Sequence, residues 1–102
     1  MDIVATHADD LIELAYVRAV AGDPEGAHLL LSKLGPSLWG MQAFYRSVVH
    51  AVLGEREAAL TWLRTAAERG WKEPPDSAWY VEFRALEGDA EYEALRTLMT
   101  LR

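Results

Sequence analysis

Three histidines carry whatever acid–base, nucleophilic or metal chemistry this chain could perform. His7 stands close to Asp9 and Asp10, a grouping that invites a metal-ligand or proton-transfer reading. On a helix, positions 7 and 10 share a face and position 9 does not. The plainer account is a solvated helix start, where early acids favour the helix dipole. His50 follows Ser47 by one helical turn, so hydroxyl and imidazole could meet. A nucleophile would still need an orienting acid and an oxyanion site. The simpler reading is a helix histidine near an interface between repeats. His28 lies beside Leu29, Leu30 and Leu31 with no companion ligand nearby. None of the three fits His-Glu-x-x-His or a zinc spacing, so neither metal nor cofactor is expected. Glycine punctuates helices and forms no phosphate-cradling loop. Glu55, Glu57 and Glu68, and the acids from Glu87 to Glu93, read as solvated faces or helix starts. Arg64 and Glu68 are spaced for a surface ion pair worth only tenths of a kcal/mol. No catalytic residue is assigned.

The bulk composition excludes several other classes. A chain of 102 residues is one domain. At that size it can bury roughly 65% of its unfolded surface, enough for a single core. Hydrophobic residues at 51% and charged residues at 25% argue against disorder. Cysteine is absent, which removes disulfide and thiol chemistry and fits a reducing, cytoplasmic setting. The net charge of −6, with scattered Lys and Arg, opposes nucleic acid and anionic membranes as partners. No apolar run nears the ~20 residues that span a bilayer. Residues 1–7 lack the basic start and apolar core of a signal peptide.

The elements that would position any site are helical. Apolar residues at Val4, Ala8, Leu11, Ile12, Ala15 and Ala19 step by threes and fours, predicting a helix over 3–21. Gly22 ends it, and Asp23-Pro24 starts a second helix over about 24–34. Gly35-Pro36 stops that one. A third helix over about 38–53 takes Ser37 as its N-cap, although Gly40 falls in its first turn. A fourth runs over about 56–69. Two prolines in the connector 71–77 bar a helix there. A short helix over 78–85 and a last one over 90–101, capped by Asp89, complete the chain. No segment alternates with a period of two, so an all-α fold without a sheet is predicted.

The two halves of the main helical region repeat each other. A 32-residue offset superposes Gly22 on Gly54, Ala15 on Ser47 and Ala27 on Ala59. Periods of about 20–50 residues mark stacked supersecondary units, which present surfaces more than they house chemistry. With Leu53-Gly54 at the turn and Ala59-Leu60, Leu63 and Ala66 beyond it, the second copy resembles a tetratricopeptide repeat. The segment from Phe83 to Leu95 is similar to the close of many bacterial tetratricopeptide proteins, with Asp89-Ala90 where Asp-Pro is usual.

The resemblance implies a right-handed α-α superhelix. Repeat one covers about 9–36, repeat two about 38–70, and capping helices 78–101 close the single domain. It also implies a groove lined by the first helix of each repeat, at Asp9, Ile12, Tyr16, Ala19 and Val20, then Met41, Phe44, Val48, Ala51 and Val52. Small Ser47 and Ala59 would let the second helix pair approach closely.

The expectation is a non-enzymatic module that binds a protein or peptide through Ile12, Tyr16, Met41, Phe44 and Val48. The aromatic-rich connector, with Trp71, Trp79 and Tyr80, is the secondary candidate. Homodimerisation through the same apolar face is the main alternative. A small helical enzyme or ligand-binding domain is the third. The tail resemblance favours a piece that closes a longer array, while Met1 allows a free-standing protein.

Overall fold

Each helix begins or ends where side-chain chemistry dictates. The computed structural model describes residues 8–35, 39–72 and 81–100. Five α-helices occupy them: α1 (Ala8–Val20), α2 (Pro24–Leu31), α3 (Gly40–Val52), α4 (Arg56–Glu68) and α5 (Ala90–Thr100). A 3₁₀ helix, Val81–Leu86, precedes α5. No strand occurs among the described residues. The fold is all-α.

The repeat has a backbone counterpart. Gly22 and Gly54 both take positive φ, at 83° and 77°. At α1 the Gly22 N–H bonds Ala19 O and the Asp23 N–H bonds Arg18 O. At α3 the Gly54 N–H bonds Ala51 O and the Glu55 N–H bonds His50 O. These are the same two bonds at the same offset, the paired closure that a left-handed residue permits at a helix end. Asp23 then caps α2 by accepting the Gly26 N–H at 3.0 Å. The closures turn the chain back on itself, so α1 packs on α2 and α3 packs on α4.

The helix pairs stack. α1 lies against α3, the 3₁₀ helix packs on α3, and α5 packs on α4. Ala15, Ser47, Ala27 and Ala59 are all fully buried. Small side chains at these points let helix axes approach closely. One core cluster joins Phe44, Leu63, Phe83 and Tyr92, and a smaller one joins Ile12, Ala15, Ala27, Leu31 and Val49. Equivalent positions differ where neighbours differ. Val49 is 0% exposed because the first hairpin covers it, whereas its counterpart Val17 is 55% exposed.

Several details depart from the sequence expectations. The predicted N-cap Ser37 lies outside the described residues, as do His7 and the connector from 73 onward. Trp39 precedes α3 instead, its N–H donating to Gln42 Oε1 at 3.0 Å. Gly40 opens the helix because space demands it. A Cβ there would lie 3.0 Å from Trp71 Cβ and 3.2 Å from Trp71 N. The short helix expected over 78–85 is 3₁₀ in its described part and runs to Leu86. Arg64 pairs with Glu91 on α5, its Nε donating at 2.7 Å, and not with Glu68. Asp89 caps α5 as expected, accepting the Tyr92 N–H at 3.0 Å. It also accepts from Arg56 Nη2 at 2.7 Å, which ties the cap to α4. Those donors, the Tyr92 N–H first and Arg56 second, hold its carboxyl below the usual carboxylate range.

Candidate functional site

Helix α1 presents one face to α3, and the two leave a groove between them. It encloses about 420 Å³. From α1 come Ile12 and Tyr16, and from α3 come Met41, Tyr45, Val48 and Val49. Ile12, Val48 and Val49 are buried and form the floor. Met41 and Tyr45, each 37% exposed, form an apolar lip. Asp9, Asp10, Glu13 and Glu82 complete the lining. Among the described residues the groove is therefore apolar at its base and acidic at its edge.

Two hydrogen bonds tie the segments that line it together. Tyr16 donates its hydroxyl to Glu82 Oε2 at 2.7 Å, joining α1 to the 3₁₀ helix. That bond, more than burial, raises the Tyr16 pKa above the ordinary phenol value. Gln42 Nε2 donates to Asp9 Oδ1 at 2.8 Å, joining the first turns of α1 and α3.

The groove takes in four of the five residues that the sequence nominates: Ile12, Tyr16, Met41 and Val48. Phe44 is elsewhere. It is fully buried, with its ring centroid 5.8 Å from Phe83, 6.0 Å from Trp71 and 5.6 Å from Tyr45. On α3 the lining follows 41, 45 and 48, and Phe44 turns toward the core. Ala19, Val20, Ala51 and Val52 also stay out of the lining. The sequence reading overlooked Asp10, Glu13, Gln42, Tyr45, Val49 and Glu82. Tyr45 and Val49 sit one step round the same helical wheel, which was the available signal. Glu82 had none, because it arrives from a distant segment. Trp71 is half-buried against Phe44, at the core's edge. Trp79 and Tyr80 lie outside the described residues.

The histidines assemble differently from the sequence expectation. Ser47 does not meet His50; its hydroxyl donates to the Phe44 carbonyl at 2.5 Å. His50 instead joins Glu55, with Nδ1 2.7 Å from Oε1. The other carboxylate oxygen lies 2.5 Å from Nε2 of His28, so His28 does have a companion. Arg46 Nε donates to His50 Nε2 at 3.3 Å, and its guanidinium lies over the Trp62 ring at 4.4 Å. Arg46 can only donate, so Nε2 accepts and the neutral ring carries its proton on Nδ1. Both ring nitrogens are engaged, leaving neither for a substrate. The cluster links α2, the α3–α4 turn and α3. It is a cross-brace between hairpins.

Burial holds the His50 imidazole below its ordinary pKa. The Glu55 hydrogen bond pulls the other way, and the charge on Arg46 adds to the lowering. The unfolded chain therefore binds a proton in a pH window where the folded chain does not. Stability rises with pH across that window. It is fully present above the unfolded value of about 6.5 and is lost as pH falls through the folded value. Urea midpoints between about pH 7 and 5, above the main carboxylate range, should fall with acid. His50→Gln should flatten that fall. An unchanged slope in the variant would remove His50 as its cause.

Among the described residues no three His, Cys, Asp or Glu side chains are arranged to hold a metal ion, and no helix is long and apolar enough to cross a membrane. No protein-family model, curated protein or solved structure matches this chain.

Proposed function

We propose that this chain is a non-enzymatic, tetratricopeptide-like interaction module that binds a peptide or protein segment in the groove between α1 and α3. The observation that carries this reading is the groove floor. Ile12, Val48 and Val49 are buried beneath an opening whose lip is the exposed Met41 and Tyr45. Such a concave apolar surface with a few polar groups at its edge is what a binding site requires. The matched closures at Gly22 and Gly54, and the matched small residues, support two repeats. The 3₁₀ helix and α5 then act as the closing layer.

Peptides selected from a random displayed library test the groove. Binding should drop by about tenfold or more in Met41→Asp/Tyr45→Asp, the loss expected on removing an interface anchor. Helical circular dichroism should persist, because both residues are partly exposed. Selected peptides that bind the variant equally well would place the site elsewhere.

Self-association is the second reading, and a separate observation favours it. Leu14, Val17, Val20 and Leu29 on the first hairpin are between 43% and 63% exposed. Monomers seldom leave large apolar patches bare. A dimer by light scattering that survives Met41→Asp/Tyr45→Asp would assign pairing to that hairpin and leave the groove free.

A further inference from the structure

The lining of the groove specifies more than apolar character. Its polar members bearing charge are Asp9, Asp10, Glu13 and Glu82, and no Lys or Arg joins them among the described residues. None of the four takes part in an ion pair there. Asp9 accepts from the neutral Gln42 amide and Glu82 from the neutral Tyr16 hydroxyl, so neither charge is offset. Four cations of the chain are committed elsewhere: Arg18 to Asp23, Arg56 to Asp89, Arg64 to Glu91 and Arg46 to the Trp62 ring. Like charges around one concavity raise the local potential and attract the opposite sign.

Resting on the groove reading above, we propose that the occupant is a cationic amphipathic peptide segment of another protein, with apolar side chains flanked by Lys or Arg. The apolar side chains seat on Ile12, Tyr16 and Val48. The flanking cations face Asp10, Glu13 and Glu82. A second copy of this chain fits poorly, because its net charge is −6 and pairing groove to groove would oppose two acidic rims. A nucleic acid or an anionic lipid meets the same repulsion.

Three labelled peptides with one Leu/Phe-rich core and Lys, Gln or Glu flanks test this by fluorescence anisotropy. The Lys-flanked peptide should bind about tenfold more tightly than the Gln-flanked one at low salt, the sum of two or three exposed charge contacts. Salt should erode the advantage, since exposed contacts are screened. Asp10→Asn/Glu13→Gln, which leaves the Tyr16–Glu82 bond in place, should cut the Lys-over-Gln preference to about twofold or less, and a preference that stays near tenfold would overturn the charge proposal. Equal binding of all three flanks, reduced by Met41→Asp/Tyr45→Asp, would overturn the charge proposal and leave the groove reading standing. Binding of none, or Gln-flanked binding insensitive to that double variant, would overturn both. A dimer dissolved by Met41→Asp/Tyr45→Asp would give the groove to a second copy and overturn the cationic occupant.

Discussion

Phe44→Ala should remove about 3–5 kcal/mol of stability, the usual range for deleting a buried aromatic ring. Phe44 is fully buried and faces Tyr45, Trp71 and Phe83. Its deletion forfeits the transfer energy of the ring and leaves a cavity that three neighbouring rings cannot close without moving. A small domain has only about 5–15 kcal/mol in total, so this one change takes a large share. Phe83 and Tyr92 extend the same line of rings, 5.8 Å apart, and carry the effect into α5. Met41→Ala is the control. Met41 lies three residues earlier on α3 but is 37% exposed, and its loss should cost below about 1 kcal/mol. Urea denaturation of both variants reads the difference. A Phe44→Ala loss as small as that of Met41→Ala would mean that Phe44 is a surface residue, as its sequence position suggests.

That misreading shows where a helical pattern stops informing. Phe44 belongs to the apolar stripe of α3, and a stripe wide enough to face both a groove and a core does not say which residue faces which. The deciding element is Val81–Leu86, whose Phe83 covers Phe44 from about forty residues downstream. Helix borders were legible because their causes are local. Asp23-Pro24, Gly54 and Asp89 act within one turn, and each does as its chemistry predicts. The start of α3 was less legible because Gly40 answers to Trp71, about thirty residues away. The His28–Glu55–His50 cluster was hidden for the same reason, since it gathers three segments. Four of five nominated groove residues fell into the groove because they lie on the faces that α1 and α3 turn toward each other. Its acidic edge is split among α1 and the 3₁₀ helix, and became visible only when the segments met.

Ala59→Leu should destabilise by about 1–3 kcal/mol or more, from overpacking and not from lost contacts. Ala59 is fully buried on α4 and belongs to the larger core cluster, with Ala43 and Phe44 of α3. Among the described residues the α3–α4 pair makes the most extensive helix contact, so the added volume has little room to escape. Close packing means that extra methylenes force off-rotamer side chains or part the helices. Leucine is otherwise as good a helix former as any but alanine, so intrinsic propensity predicts almost no effect. The sign and size of the change therefore separate the two accounts. Ser47→Ala, on the facing helix, sharpens the comparison. Its hydroxyl donates only to the Phe44 carbonyl one turn back, and alanine keeps the small volume. Removing a local hydroxyl bond of this kind should be nearly neutral, because such a bond competes with the helix backbone. Thermal melts of the two variants should thus diverge: Ser47→Ala near the parent and Ala59→Leu well below it. An Ala59→Leu variant as stable as the parent would show that the crossing has slack, and the matched small residues of the two hairpins would lose their structural reason.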